Sequence, residues 1–399
     1  MLKFFRPLIL AISLLLWTQP QVLFSAPADT TLNYFQGDWQ EAIAVAEQSG
    51  KPMMLSIFAD WCYWCKAMEA STFKDPEIVS LLNEEFVLYR ANAEEVRGGK
   101  LAAKFRATSL PVLVFLNTEG QLIEKKTGYI RDNRAFAEEL NGFLKASERY
   151  KASIDAKILD PGFPDFYLQS FDPEEEWAEE EFKVMAYEFL AQTDKDQWMK
   201  EVHWSVMFRF AIVMGEMGSY FLDNYHAFKA HYGKDEAFAH LNNLYNYHMY
   251  LYAQRGEEKE ALELIGHLKE LEADRKDELA LRYKVSFYMQ SRNWHKVLDQ
   301  LESHLEKSED PQLNSVNSVC LNIHDATSDR EVLQRTAAVM KTVTEKDPIY
   351  QHLDTWAALL FRAGENERAV KAANRAIEVG KKAGIDVTDT EVLLEIHQN

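Results

Sequence analysis

A pair of cysteines separated by two residues is the feature that most constrains what this chain can fold into. Cys62 and Cys65 closely follow the apolar run from Met53 to Ala59, which is typical of a short buried strand. Two cysteines at this spacing, where a strand gives way to a helix, can close a disulfide and reopen it. The pattern therefore predicts a redox site at a strand-to-helix junction.

The position of each cysteine assigns its role. At the first turn of a helix, unpaired backbone N–H groups and the helix dipole favour negative charge, so Cys62 should ionise more readily than a free thiol. Cys65 lies one turn further into the helix and should be more shielded. We expect Cys62 to be the attacking sulfur and Cys65 the resolving thiol.

Zinc binding is the main alternative for a Cys-x-x-Cys pair, but a structural zinc needs four protein ligands. The third cysteine, Cys320, is distant in sequence, and no second Cys or His pair at short spacing lies near the motif. A purely structural disulfide is a further alternative, although a bridge that closes so short a loop stabilises little. We expect a redox-active Cys62–Cys65 disulfide with no metal and no other cofactor.

The N-terminus predicts export. Lys3 and Arg6 precede an apolar stretch from Leu8 to Trp17, and Ala26-Pro27-Ala28 has the small-residue pattern of a cleavage site. An uncleaved anchor is the alternative, although the apolar core is shorter than the ~20 residues that span a bilayer. We predict a signal peptide over residues 1–28 and a periplasmic protein.

The net charge of −19 makes nucleic acid an unsuitable partner. The densest acidic run, residues 174–181, is expected to begin a helix, where acids suit the N-terminal dipole. The most apolar later stretch runs from Trp204 to Leu222 but contains Arg209 and Glu216. We interpret it as a buried amphipathic helix and not as a membrane span.

The chain divides near residues 159–164, where two prolines and a glycine interrupt the periodicity of the apolar residues. Before this point strands and helices alternate, and after it only helical periodicity is found. We predict an α/β domain over residues 29–148, a linker over 149–173 and an all-α helical-repeat domain over 174–399.

The α/β domain is predicted to contain one leading helix followed by the order β-α-β-α-β-β-α. The predicted strands are Pro52–Ala59, Glu85–Tyr89, Pro111–Leu116 and Gln121–Lys126, and the last two form a hairpin. A final helix, capped by Asp132 or Asn133, should reach about Lys145.

These elements resemble the thioredoxin superfamily, and most closely the C-terminal thioredoxin-like domain of the DsbD-type thiol:disulfide interchange proteins. The likeness covers roughly residues 33–146 and is carried by Ala59-Asp60-Trp61-Cys62, Cys65-Lys66, Glu69, Thr72-Phe73, Asp75-Pro76 and Ser109-Leu110-Pro111. The resemblance implies a thiol–disulfide oxidoreductase whose partners are protein thiols and disulfides.

The resemblance also implies that Pro111 is the cis-proline that faces the disulfide, next to backbone that pairs with a substrate strand. An ordinary trans proline at a strand start is the alternative. Leu110 and Trp61 are expected to contact substrate. Tyr63 and Trp64 are expected to form an apolar docking surface beside the sulfurs, with simple packing as the alternative.

Ser56 departs from the family pattern, in which many members carry an acid six residues before the first cysteine. A hydroxyl cannot take a proton from Cys65 as a carboxylate can. Glu69 lies four residues after Cys65, on the same helical face, and is our candidate for that proton exchange. A solvent-exposed helix acid is the alternative interpretation of Glu69.

The two residues between the cysteines favour a reductant. Tyr63 and Trp64 supply no cation that would stabilise the Cys62 thiolate and make the disulfide more oxidising. A reductant of this kind needs recharging, so a membrane reductase is an expected partner. An oxidase or isomerase remains the alternative.

The second half of the chain contains a faint repeat. Turns are predicted near Gly256, Arg292, Ser328 and Gly364, at intervals of 36 residues, close to the ~34-residue tetratricopeptide period. Small residues in 350–383 make that unit resemble a tetratricopeptide repeat. Because stacked helix pairs leave a concave face, we expect the repeats to dock a peptide or protein.

Two alternatives remain for the second half. The helices could merely pack on the first domain, or the protein could be a repeat-based adaptor whose thioredoxin-like domain is a scaffold without activity. Cys320 is interpreted as a buried small apolar residue, and the scattered histidines as core or surface residues and not metal ligands.

Overall fold

The computed structural model describes residues 31–147, 154–172 and 179–398. They form an α/β domain followed by an all-helical region, which confirms the predicted fold class. The predicted signal peptide and the start of the acidic run, residues 174–178, lie outside the described residues.

The α/β domain is built on a four-stranded sheet. Its strands are β1 (Met53–Phe58), β2 (Val87–Asn92), β3 (Val112–Leu116) and β4 (Leu122–Thr127). They lie in the order β2-β1-β3-β4, with β1 parallel to β2 and antiparallel to β3, and with β3 and β4 joined as an antiparallel hairpin. Each strand lies within a few residues of its predicted position.

Five helices flank the sheet: α1 (Trp39–Ser49), α2 (Tyr63–Ala70), α3 (Pro76–Glu85), α4 (Val96–Lys104) and α5 (Asn133–Ser147). Alternating strand residues point to opposite faces of the sheet and contribute to two hydrophobic cores. Leu55 packs on the face covered by α1 and α4, whereas Met54 packs on the face covered by α3 and α5. Asp132 caps α5 by accepting a hydrogen bond from Ala135 N at 3.0 Å, one of the two predicted caps.

The segment predicted as a linker is structured where it is described. Ile154 and Ala156 are fully buried, and the Trp39 indole donates a hydrogen bond to the Ala156 carbonyl at 2.8 Å. Tyr167, in α6 (Asp165–Gln169), donates its hydroxyl to the Ala103 carbonyl at 2.5 Å. The prolines and glycine interrupt regular structure, but the apolar side chains between them pack on the α/β domain.

The helical region continues with α7 (Glu179–Ala191), α8 (Glu201–Arg209), α9 (Gly215–Asp223), α10 (Tyr225–Tyr232), α11 (Lys234–Arg255), α12 (Glu258–Gly266), α13 (Leu268–Leu271), α14 (Lys276–Gln290), α15 (Trp294–Lys307), α16 (Leu313–Ala326), α17 (Arg330–Lys346), α18 (Tyr350–Arg362), α19 (Asn366–Lys382) and α20 (Thr388–Gln398). Within residues 31–147, 154–172 and 179–398, no helix has the length and apolar character needed to cross a membrane.

The stretch from Trp204 to Leu222 is two helices, so the prediction of one continuous helix was wrong. Ala211 adopts a left-handed φ of 48° and ends α8, with Ile212 N bonded back to the Met207 carbonyl at 2.9 Å. The break lets Trp204 on α8 stack on Phe221 of α9, with ring centroids 5.7 Å apart. Long-range aromatic packing therefore overrides the continuous helical periodicity.

The four predicted turns lie between helices. Gly256, Arg292 and Gly364 have φ values of 70°, 54° and 75°, and Ser328 lies between α16 and α17. Each turn separates two neighbouring helices of the region. The tetratricopeptide interpretation of these pairs stays a prediction.

Buried charges join the α/β domain to the helical region. Arg106 Nε lies 2.6 Å from Glu236 Oε1, and Lys104 Nζ lies 2.6 Å from Glu201 Oε1. Lys125, on β4, also pairs with Glu236. Burial by itself would raise the pKa of Glu236, but the adjacent Arg106 and Lys125 charges hold it below its usual value. We call Lys104, Arg106, Lys125, Glu201 and Glu236 the interface ion cluster.

Glu124 provides a pH dependence of stability at the same interface. Burial raises the pKa of Glu124 to about 7, and the nearby Asp235 carboxylate adds to the effect, whereas Lys234 opposes it. The folded protein therefore holds a proton on Glu124 between about pH 4.5 and 7 that the unfolded chain releases. We expect this residue to contribute about 3 kcal/mol of stability near pH 4.5, lost as pH rises through 7.

Urea denaturation of the wild type and of Glu124→Gln across pH 4.5–8 measures this contribution. The unfolding free energy of the wild type should fall relative to that of Glu124→Gln as the pH rises through 7. A pH-independent difference would contradict the assignment.

Candidate redox site

The two cysteines of the motif form a disulfide at the start of α2. Cys62 is the N-cap residue in an extended conformation, and its Sγ accepts a hydrogen bond from Cys65 N at 3.1 Å. The Cα atoms of the pair lie 5.3 Å apart. The Cys62 sulfur therefore faces the free N–H groups of the first turn, the environment predicted to favour its thiolate.

Pro111, the predicted cis-proline, lies in the loop that enters β3. The Leu110–Pro111 peptide bond is cis, as the family resemblance implied. Leu110 and Phe58 pack against a small cluster of Ala59, Cys62 and Cys65. The structure thus brings Leu110 to the disulfide, although 45 residues separate it from Cys65.

The aromatic residues of the motif lie on the surface. Trp61, Tyr63 and Trp64 are 69%, 72% and 47% exposed, which argues against the packing alternative. Tyr63 contacts Trp64 edge-on at 5.1 Å, and Trp64 stacks on Tyr129 at 5.6 Å between ring centroids. We call these four residues the aromatic patch. Tyr129 follows β4 and carried no sequence signal, because only folding brings it beside α2.

Glu69 has an ionic partner that sequence reasoning missed. Its Oε1 lies 3.3 Å from Arg90 NH2, and both side chains are partly exposed. Arg90, on β2, also lies over the Phe58 ring at 3.8 Å, and Phe58 in turn contacts the cysteine cluster. The carboxylate is therefore held by a cation next to the site, and its proposed proton exchange with Cys65 stays a prediction.

Two neutral hydroxyls occupy the region where the family acid would lie. Ser56 is buried and pairs with Arg90 in the β1–β2 register. Burial raises the pKa of the nearby Tyr34, and the Glu69 carboxylate adds to this effect, whereas Arg90 and Ser56 oppose it. Tyr34 thus stays protonated, and neither hydroxyl can act as a base at neutral pH.

Cys320 is fully buried on α16, and burial raises the pKa of its thiol to about 12, so it stays protonated and unreactive. No group of three or more His, Cys, Asp or Glu side chains suited to a metal ion occurs among the described residues.

The sheet order, the helix-capping Cys-x-x-Cys disulfide and the cis-proline that follows Leu110 define a thioredoxin-like domain, with the site chemistry of thiol–disulfide oxidoreductases. Residues 39–143 match the family model described as a thioredoxin-like domain. Residues 39–143 therefore form a thioredoxin-like domain within a longer chain.

Curated relatives match part of this chain. The thiol:disulfide interchange protein DsbD of Salmonella typhimurium is 40% identical over 80 residues, which is 20% of this chain and 14% of that protein. DsbD of Escherichia coli K12 is 35% identical over 101 residues, covering 24% and 18% of the two chains. This chain thus spans less than a fifth of the length of those relatives.

Solved structures match over a similar extent. A thioredoxin from Thermus thermophilus has a TM-score of 0.27 and 24% sequence identity, covering 30% of this chain and 90% of that chain. A protein described as DsbH oxidoreductase has a TM-score of 0.27 and 20% identity, covering 32% and 95%.

Proposed function

We propose that this protein is an exported, periplasmic thiol–disulfide oxidoreductase that reduces disulfides in client proteins. The observation that carries the proposal is the Cys62–Cys65 disulfide at the N-terminus of α2, in contact with Leu110 beside the cis-proline. Relatives that match part of this chain are named thiol:disulfide interchange proteins, and the thioredoxin-like family model matches residues 39–143, which contain this site.

The proposed reaction begins with the reduced dithiol. The Cys62 thiolate attacks one sulfur of a client disulfide, and the other client sulfur leaves as a thiolate that takes a proton. Cys65, deprotonated by Glu69 or water, then attacks the Cys62 sulfur of the mixed disulfide. The client leaves as a dithiol and the Cys62–Cys65 disulfide forms. A membrane reductase must return two electrons before the next turnover.

The aromatic patch supports a protein client. Trp61, Tyr63 and Trp64 expose apolar surface beside sulfurs that are themselves almost completely buried. Large aromatic residues provide much of the binding energy at protein interfaces. A client can therefore bind this surface while its disulfide reaches Cys62.

The reduction potential of the Cys62–Cys65 pair tests the direction of the reaction. Because no cation lies between the cysteines to stabilise the thiolate, we expect a value near that of thioredoxin, about −270 mV. Equilibration of the full chain in glutathione and dithiothreitol buffers measures it. A value near about −120 mV would instead identify an oxidase.

A groove in the helical region is our proposed docking site for an extended client segment. It has a volume of about 710 Å³ and is lined by Gln254 on α11, Ser286 and Gln290 on α14, and Asn322 on α16, among others. Amide and hydroxyl side chains can donate to and accept from a peptide backbone, and one charge of each sign, Arg292 and Asp325, also lines the groove. The groove thus suits the backbone of an extended polypeptide.

Changing Gln254 and Gln290 together to alanine should weaken client capture. In a Cys65→Ser background, which retains the mixed disulfide, we expect an insulin concentration for half-maximal capture that is at least about fivefold higher, since two lost hydrogen bonds are worth about 0.5–1.5 kcal/mol each. Gln334→Ala, an exposed change on α17, is the control. Unchanged capture would remove the groove from the proposal.

A further inference from the structure

The loop that carries the cis-proline begins at a strained residue. Arg106, two residues after the end of α4, has a left-handed φ of 52°. Ala107 N bonds back to the Ala102 carbonyl at 2.8 Å, and Thr108 N bonds to the Arg106 carbonyl at 2.9 Å. We call residues 106–111 the proline loop. The placement of Leu110 against the disulfide depends on the direction in which the chain leaves Arg106.

A single carboxylate from the helical region holds the Arg106 side chain. Arg106 Nε donates to Glu236 Oε1 at 2.6 Å, and its NH1 donates to Ser205 Oγ at 3.3 Å. Glu236 also accepts the Trp204 indole N–H at 2.5 Å. Arg106 and Glu236 are both buried, so water does not compete for the hydrogen bond between them.

The same carboxylate holds the main chain of the loop through a second cation. Lys125 Nζ pairs with Glu236 and donates to the carbonyl oxygens of Phe105 and Arg106 at 3.0 and 3.2 Å. The far end of the loop is tied to the end of β4, because Gly128 N donates to the Pro111 carbonyl at 2.8 Å. Side chain and backbone of Arg106 therefore both depend on Glu236.

Such an arrangement specifies a geometry better than it supplies stability. A buried ion pair contributes little net stability compared with apolar packing, but it tolerates few alternative positions of its members. Here the members hold the start of the loop that contacts the redox disulfide. The carboxylate belongs to α11, outside the thioredoxin-like domain.

We infer that Glu236 is a positioning residue for the redox site, through which the helical region sets the geometry of the proline loop for client binding. This inference rests on the proposed function. It makes the helical region part of the working redox site, independent of any docking in the groove.

Kinetics of Glu236→Gln in the full-length protein test the inference. With insulin as the disulfide client and dithiothreitol as the reductant, we expect the KM for insulin to rise about tenfold, because misplacement of a binding element by a fraction of an ångström weakens productive binding. The rate with a small disulfide, 5,5′-dithiobis(2-nitrobenzoate), and the reduction potential should stay within about twofold and ~10 mV of the wild type, because neither requires strand pairing with the loop.

Two control variants separate positioning from general damage. Asp235→Asn makes the same chemical change one residue earlier, where Asp235 pairs with Lys126 at 3.2 Å across the interface. Leu241→Ala removes a fully buried side chain from the same helix and lowers thermal stability without touching an ion pair. Both should keep the wild-type KM. An equal rise in KM for Leu241→Ala, or a wild-type KM for Glu236→Gln, would overturn the inference.

If Glu236→Gln does not fold, Ser205→Ala provides the test, because it removes one contact of Arg106 and keeps every charge. We expect about a twofold rise in the KM for insulin and faster hydrogen exchange at Ala107 and Thr108. Wild-type KM and exchange would overturn the inference. Failure of the proposed function looks different, since the wild type itself would then reduce no insulin.

Discussion

Replacing Cys62 with serine is expected to abolish disulfide reduction, with a loss of about 10³-fold or more in the rate of insulin reduction. A serine hydroxyl stays protonated at neutral pH and cannot attack a disulfide, so neither the helix N-terminus nor the cis-proline can compensate. The insulin precipitation assay with dithiothreitol measures the effect. Full activity of Cys62→Ser would reject the proposed mechanism.

Two other cysteine variants complete this experiment. Cys320→Ser should retain activity, because this thiol is fully buried on α16, remote in sequence from the redox pair. Cys65→Ser should accumulate a covalent adduct with clients, visible on a non-reducing gel, because the resolving thiol is missing. If Cys65→Ser captured no client, the non-enzymatic adaptor would become the better interpretation.

Replacing Glu236 with alanine is expected to cost about 3–5 kcal/mol of unfolding free energy, because it leaves Arg106 and Lys125 buried without their counter-charge. All three side chains lie inside the interface between the α/β domain and α11. Urea denaturation followed by circular dichroism measures the loss. Both the α/β domain and the helical region are expected to lose stability, because the carboxylate belongs to one and the two cations to the other.

The matched control is Glu138→Ala on α5. Glu138 pairs with Arg134 one helical turn away, but the side chains are 71% and 91% exposed, and such pairs contribute about 0.3–0.5 kcal/mol. A similar cost for both variants would mean that the buried position of Glu236 does not matter. A cost below about 1 kcal/mol for Glu236→Ala would show that the interface relaxes around the unpaired cations.

Local sequence patterns predicted the α/β domain well. The β1 strand is apolar along nearly its whole length, Asp132 provides a side-chain cap, and Cys62 caps the helix that follows it. These signals act within a few residues of one another. They can therefore be recognised in the sequence without knowledge of the fold.

Other parts of the site depended on residues far apart in the chain. Arg90 lies 21 residues from its partner Glu69, and Tyr129 lies 65 residues from Trp64. The break between α8 and α9 likewise follows from the stacking of Trp204 on Phe221. No local periodicity predicts such pairings, because each residue taken alone is of a type that is common at the surface or in the core.

From the sequence alone came the succession of strands and helices in the α/β domain, the helix that follows Cys62 and the identity of the two redox cysteines. That Glu236, 130 residues after Arg106 in the chain, contacts the start of the proline loop emerges only from the folded structure. Strands, caps and thiolate chemistry arise from neighbouring residues and can be predicted locally. The pairing of buried charges depends on which distant surfaces exclude water together.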